Sequence, residues 1–431
     1  MTNIITLKNV HIVDPVSGID REFDIRIEKG NVKEIGKIEG NKGKTFDLKG
    51  MFAVPGLVDM HVHLREPGRE DEETVQSGCA AAAAGGFTAV ACMPNTLPVL
   101  DDEASIDFIN KRSRDASARV YPIGSITKSM KGSELTEMGA MVRAGAVGVS
   151  EDGISVKNAC LMKNALIYSK MFEIPVICHC EDADLASGGC INEGSVSYCM
   201  GLKGIPSISE EIIVARDIML AEYTGARVHI AHVSTAGSIA LIRNAKKRGV
   251  KVTCETAPHY FSFTEEVLKD SLSTNFKMNP PLRSQKDLEA MIKAIKDGTI
   301  DVIASDHAPH SIEEKDVEFE AAPNGVTGLE TSLGAVITNL LKPGHIDLQR
   351  LALLMSSNPN RILGKKGGVI KAGAPADITI VDKDKKWKVD PKNFVSKSRN
   401  NAFNNAELTG KAVMTIMEGR ITYMDKSLKN E

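Results

Sequence analysis

Polar and apolar positions change rhythm twice along the chain. Short alternating segments at 4–13, 24–29 and 45–48 are broken by Gly30 and by Gly40-Asn41-Lys42-Gly43. A period of two sends successive side chains to opposite faces, so these segments predict a small antiparallel sheet. The same rhythm returns at 377–381, 408–417 and 420–424, after a helical stretch ending near Gly364. The two ends are expected to pair into one small β domain. Between them, eight β-branched or apolar runs alternate with helical stretches: 56–63, 88–93, 119–123, 147–150, 175–179, 228–233, 250–255 and 301–305. Helix candidates include 73–84, 158–172, 210–224 and 235–248. Strands alternating with helices form parallel sheets, and eight such units close into a barrel. The predicted fold is therefore α/β: a (β/α)8 TIM-like barrel over 54–364, with a small β-sandwich domain built from both termini, 1–53 and 365–431.

Two stretches exceed what a single connecting helix needs. Residues 182–206 are expected to carry short elements of their own, and the acidic, aperiodic segment 310–325 reads as a lid or rim loop. The alanine-rich run 79–84 belongs to the first helix, where small residues allow close packing on the barrel.

Composition narrows the partners. A formal net charge of -3 and a pI near 6.4 lack the basic footprint of a nucleic-acid binder, so a small-molecule partner is expected. Apolar runs stop short of a membrane span, and Met1-Thr2-Asn3-Ile4-Ile5-Thr6-Leu7-Lys8 lacks the pattern of a secretory signal. A cytoplasmic protein is expected. The eight cysteines form no C-x-x-C pair, and several sit in apolar segments, as at Cys92, Cys178 and Cys254. Cys178-His179-Cys180 could suggest thiolate ligation, but alternation turns both thiols away from the face used by His179.

Polar residues collect at the carboxyl ends of the eight runs, where barrel enzymes build their sites. The first ends in His61-Val62-His63, whose spacing of two places both imidazoles on one face. The fourth ends in Asp152, the fifth in His179, the sixth in His232 and the eighth in Asp306. His61, His63 and Asp306 form a nitrogen and oxygen set suited to Zn²⁺; His179 and His232 offer a second pair, and Asp152 is the carboxylate that would bridge two ions. A lone H-x-H is incidental more often than not. Six polar groups at the ends of five strands are hard to reconcile with a packed apolar interior. His229, odd-spaced from His232, is expected to face elsewhere as a core histidine. His259 follows the seventh run in a loop or supporting role, and His11 and His345 have no polar constellation.

The sequence resembles the dihydroorotases of the amidohydrolase superfamily, of the long bacterial class I type, over nearly its whole length. The resemblance is carried by Pro55-Gly56-Leu57-Val58-Asp59-Met60-His61-Val62-His63-Leu64-Arg65-Glu66-Pro67-Gly68, Met93-Pro94-Asn95-Thr96, Ser150-Glu151-Asp152-Gly153, Ser305-Asp306-His307-Ala308-Pro309-His310 and Gly328-Leu329-Glu330. It implies reversible ring closure of N-carbamoyl-L-aspartate to L-dihydroorotate in pyrimidine synthesis, with two Zn²⁺ per subunit bridged by Asp152 and Asp306 as general acid and base. By the same resemblance, His63, Arg65, Asn95, Asn279, His310, Asn324 and Gly325 bind substrate, Arg65 meeting its carboxylate as guanidinium geometry allows. A homodimer and an association with aspartate transcarbamoylase are compatible assemblies.

Two features qualify it. Many relatives carry Phe-Gly where this chain has Asn324-Gly325, which puts the local packing against substrate in doubt. Some relatives bridge their metals with a carboxylated lysine, but here the fourth run offers Asp152 and no lysine before Lys157, so no modified lysine is expected. The alternatives are a hydantoinase- or allantoinase-like cyclic amidase, against which Arg65 and His310 argue, and a non-catalytic scaffold for the transcarbamoylase, against which the retained ligands argue.

Overall fold

A computed structural model describes residues 4–40 and 42–428; Met1 to Asn3 of the N-terminal reading, Asn41 of the glycine-flanked break and residues 429–431 of the C-terminal segment lie outside the described residues. Eight parallel strands follow one another around a nearly closed barrel: Leu57–Val62, Phe87–Cys92, Arg119–Ser125, Gly148–Ser150, Val176–Cys178, Val228–Ile230, Val252–Thr256 and Val302–Ile303. The last shortens to two residues because Ser305 and its neighbours leave the ladder to build the mouth. Val62 and His307 bridge in parallel, and His63 N–H donates to the His307 carbonyl at 2.8 Å, joining the first and last strands.

Asp59 reinforces that seam. Fully buried, its carboxylate accepts the Ser305 N–H at 3.0 and 3.1 Å and the His61 N–H at 3.1 Å, and burial raises its pKa to about 6. Removing the acceptor leaves two buried donors unpaired, each at a cost of about 1–3 kcal/mol. Asp59→Ala is thus expected to lower the unfolding free energy by roughly 2 kcal/mol or more, read as the shift of the urea midpoint; an unchanged midpoint would remove the staple role.

Helices cover the barrel from outside. Val75–Ala84 begins at Thr74 and Ser77, whose side chains cap each other's backbone N–H, and buries Cys79 and Ala81 to Ala84. Ala159–Lys170, Ile208–Thr224 and Ala236–Lys247 fall on the expected segments, the first capped by Asn158 and the last by Thr235. Val58, Met60, Ala89, Ala91, Ile123, Ile177 and Val302 fill the barrel interior beneath the mouth. The segment after the fifth strand carries Ala183–Ala186, Ile191–Asn192, Ser195–Met200 and Gly204–Ile205, while 310–325 folds around the short helix Ile312–Lys315.

The terminal strands differ from expectation in direction. They form one mixed sheet in the order Arg420–Met424, Glu407–Met417, Ile378–Lys388, Phe52–Pro55, Ile4–Asp14, Ile19–Glu28, Asn31–Gly36, with Lys44–Asp47 added to Ile4–Asp14. It is not wholly antiparallel, because Lys44–Asp47 and Phe52–Pro55 return alongside Ile4–Asp14 in parallel. Residues of both chain ends, including Leu7, Ile25, Ile378 and Val413, bury a common core.

Candidate active site

Backbone irregularities at the strand ends aim the polar side chains. Pairing of the first strand with the second skips one residue between Asp59 and Val62, a bulge that resets the alternation. Met60, packed in the barrel core, and His61, which reaches the mouth, are consequently both turned inward. Arg65, His232 and Asp306 have φ of 59°, 32° and 50°, a left-handed conformation that costs side-chain-bearing residues of the order of 1–3 kcal/mol each. That strain persists only where the surroundings enforce it, and here it falls on three residues of one site.

Asp152 sits at the centre. Its Oδ1 lies 3.2 Å from His61 Nε2 and 3.7 Å from His232 Nε2, and its Oδ2 lies 3.4 Å from His63 Nε2. Asp306 Oδ1 is 3.6 Å from His61 Nε2 and 3.5 Å from His63 Nε2. His179 joins through Nδ1, 2.9 Å from His232 Nε2. Burial opposes charge on both carboxylates, but the imidazoles around them outweigh it and hold Asp152 well below, and Asp306 below, the usual range. Burial, with His232 beside it, lowers His179 to about 3 and leaves a neutral imidazole, the form that ligates metals. His61 is also desolvated, yet Asp152, Asp306 and Glu255 raise its proton affinity. The same carboxylates would attract a metal cation.

The donor set fits such a cation. His61 Nε2, Asp152 Oδ1 and His179 Nε2 are buried without any hydrogen-bond partner, an expensive condition for polar atoms that serve no ligand. Among the described residues, His61 with Asp152 and His232, and His61 with His63 and Asp306, bring ligand atoms within 4.8 Å of one another. A third group, Glu72 with His310 and Glu314, is already met by guanidinium groups, Arg65 and Arg69 on Glu72 and Arg69 on Glu314. Lys157 is exposed and 3.2 Å from Asp184, away from the ligand groups.

The cleft above the cluster has a volume of about 160 Å³ and is lined by His63, Arg65, Asn95, Gly153, His179, Asn279, Ala308, Asn324 and Gly325, besides Asp152, His232 and Asp306. Arg65 donates through Nε to the Pro309 carbonyl at 3.0 Å and is ion-paired with Glu72, whose Oε2 lies 3.0 Å from the same Nε, which fixes the root of its guanidinium at the cleft wall. Asn95 is engaged on both sides: its Oδ1 is 2.9 Å from His63 Nδ1, and its Nδ2 is 3.3 Å from Asp152 Oδ2. Asn279 Oδ1 is buried and unpartnered. Gly325 has φ +131°, and a Cβ there would come within 2.7 Å of Ala308 Cβ and 3.1 Å of His310 Nε2, so a side chain is excluded. His310 stands behind this wall, with Nδ1 3.0 Å from Glu72 and Nε2 2.9 Å from the Asn324 carbonyl. Lys315 fastens the same segment by donating to the Pro323 and Gly325 carbonyls at 2.8 and 2.9 Å. A larger hollow of about 520 Å³, beside His11, Phe52 and Lys342, lies elsewhere and holds none of these metal-type groups.

Sequence reasoning passed over Glu255, Asp59 and Glu72. Glu255 carried a signal, an acidic residue inside the apolar run 250–255, but its partners come from two other strands. His229 is the satisfied core histidine expected, fully buried and no part of the ligand groups, with Nδ1 2.9 Å from Thr253 Oγ1; only its direction differs, since it points to Glu255 at 3.2 Å, beneath the ligands. His259 is buried against Tyr260 with Nε2 unpartnered, its pKa lowered by burial to about 4.

Comparison with known proteins agrees with this architecture. The dihydro-orotase-like family matches residues 50–238. A dihydroorotase of Acetivibrio thermocellus is 52% identical over 98% of this chain and 99% of its own, and one of Geobacter sp. (strain M21) is 51% identical over 97% and 98%. Among solved structures, L-hydantoinase (dihydropyrimidinase) from Arthrobacter aurescens superposes with a TM-score of 0.88 at 25% identity, covering 99% of this chain and 97% of that one.

Proposed function

The chain belongs to the dihydroorotase family, and from that premise we propose that it interconverts N-carbamoyl-L-aspartate and L-dihydroorotate at the barrel mouth, in the pyrimidine-forming direction and its reverse. One observation carries the reading: four imidazoles and two carboxylates converge at the floor of the cleft whose wall presents the Arg65 guanidinium. A hydantoinase-like cyclic amidase has no comparable need for a cation facing a substrate carboxylate, and a scaffold has no need for unpartnered buried ligands.

The donor set suits Zn²⁺, and we assign His61, His63 and Asp306 to one ion, His179 and His232 to a second, and Asp152 to both. Zinc held there supplies Lewis acidity, polarising the ring amide carbonyl and lowering the pKa of water. In the hydrolytic direction Asp306 takes the proton of the attacking water and delivers it to the amide nitrogen as the carbon–nitrogen bond breaks; ring closure runs the transfer backwards. Arg65 receives the carboxylate remote from that bond. Asn279 offers its unpartnered oxygen to a ring N–H, and Gly325 lets the backbone approach the ring. Asn95 holds the His63 ring and Asp152 in register from within the cleft, and His310 supports the wall formed by Asn324 and Gly325.

A homodimer and an association with a transcarbamoylase are compatible with this reading. No helix among the described residues is long and apolar enough to cross a membrane, and eight unpaired thiols suit a reducing cytoplasm.

The test is spectrophotometric. The protein should form dihydroorotate from carbamoyl aspartate, lose that activity on dialysis against a chelator, and regain it with Zn²⁺. Cleavage of hydantoin in place of turnover of carbamoyl aspartate would overturn the assignment.

A further inference from the structure

Beneath the ligand cluster lies a buried polar chain that the reaction itself does not use. Glu255, at the end of the seventh strand, places Oε1 2.7 Å from His61 Nδ1 and Oε2 3.2 Å from His229 Nε2. His229 Nδ1 is in turn 2.9 Å from Thr253 Oγ1. Glu255, His61 and His229 are all buried to within 1% of complete exclusion from solvent. The burial makes the chain costly unless each partner is satisfied, and the chemistry of its members allows an arrangement of uncharged rings that satisfies all of them.

The direction of every hydrogen bond follows from the carboxylate, which can only accept. His61 therefore donates from Nδ1 and His229 from Nε2. A neutral His229 with its proton on Nε2 accepts at Nδ1 from the Thr253 hydroxyl. With Nδ1 committed to Glu255, Nε2 is the nitrogen His61 can offer a metal, and it faces Asp152 and Asp306 without a hydrogen-bond partner. A fixed tautomer and ring plane are what a metal-bound imidazole requires, and a carboxylate on its other nitrogen supplies both while increasing its basicity.

We infer that Glu255 is a positioning residue for the metal site, orienting His61 through Nδ1 and held in place by His229 and Thr253. The inference rests on the assignment of His61 as a metal ligand. It gives His229 a task that its odd spacing from His232 conceals: it donates a hydrogen bond to the second oxygen of a carboxylate buried well below the cleft floor. Asp152 and Asp306, the carboxylates among the ligands themselves, line the cleft, whereas Glu255 acts on a ligand from behind.

Glu255→Gln keeps the shape and the oxygen facing His61 but removes the charge; His229→Asn removes the second partner. Both variants and His61→Asn should be purified, stripped of metal, and titrated with Zn²⁺ against a chromophoric chelator, with the thermal midpoint of each stripped protein measured in parallel. Glu255→Gln is expected to weaken Zn²⁺ binding by roughly 10- to 100-fold, as loss of such supporting groups does, with a smaller loss in His229→Asn. In the stripped wild type, nitrogen NMR should show His61 protonated at Nδ1, and that preference should weaken in Glu255→Gln, whose amide oxygen accepts without a charge. Unchanged Zn²⁺ affinity in Glu255→Gln alongside weakened binding in His61→Asn overturns the inference and leaves the ligand assignment standing. Unchanged affinity in His61→Asn overturns both. A lowered thermal midpoint with unchanged affinity makes Glu255 a packing residue, which also overturns the inference.

Discussion

Asp306→Asn is expected to reduce kcat in both directions by roughly 10²–10⁴-fold, the ordinary worth of a positioned general acid and base, while the KM for either substrate changes by only a few-fold. The substitution preserves volume and retains an oxygen, so the geometry around His61 and His63, each within 3.6 Å of Asp306 Oδ1, has little reason to change. What is lost is the ability to hold a proton between the water and the ring nitrogen. The left-handed backbone at Asp306 fixes the direction of its side chain, and asparagine tolerates that backbone as well as aspartate does. A chain residue in contact with the metal but not with the moving proton would give another pattern: weakened Zn²⁺ binding with kcat restored at saturating metal. Steady-state kinetics at saturating Zn²⁺ separates the two, and recovery of full kcat would remove Asp306 from proton transfer.

The second large effect falls on binding. Arg65→Met should raise KM by roughly 30-fold or more, corresponding to the 2–5 kcal/mol that truncation of one member of a buried charge pair costs. The change in kcat should be smaller. Arg65 is almost wholly desolvated, Glu72 and the Pro309 carbonyl occupy its Nε, and its Nη2 lies 3.3 Å from His310 Nε2, so Nη1 and the outer side of Nη2 are what remains for a substrate carboxylate. Arg65→Lys is expected to recover only part of the loss, because an ammonium keeps the charge but not the two-pronged geometry. Methionine also strips Glu72 of a partner, and Glu72 in turn meets Arg69 and His310. The thermal midpoint therefore has to be followed, and a KM unchanged beside a lowered midpoint would make Arg65 a rim tether.

Periodicity made the eight barrel strands visible, since a strand buried on both faces reads as a short continuous apolar run. It did not reveal that Lys44–Asp47 and Phe52–Pro55 run parallel to Ile4–Asp14, because strand direction depends on how the chain crosses between strands and leaves no mark on their alternation. The polar ends His61, His63, Asp152, His179, His232 and Asp306 stood out for a similar reason: packing alone seldom puts carboxylates and imidazoles at the tips of apolar runs, where burial without a ligand is costly. Glu255 had the same appearance and was passed over, since its meaning depends on His61 and His229, which are 194 and 26 residues away.

The sequence by itself determined the barrel, the end of it that carries the chemistry and the residue types gathered there, because burial and alternation are local properties of each run. Only the tertiary structure decided how those residues meet. A skipped residue in the first strand turns His61 inward, left-handed backbone at His232 and Asp306 overrides alternation, and the fully buried Asp59 ties the first strand to the eighth. Those are non-local constraints, paid for by the packing of the whole barrel, and no stretch of sequence a few residues long encodes them.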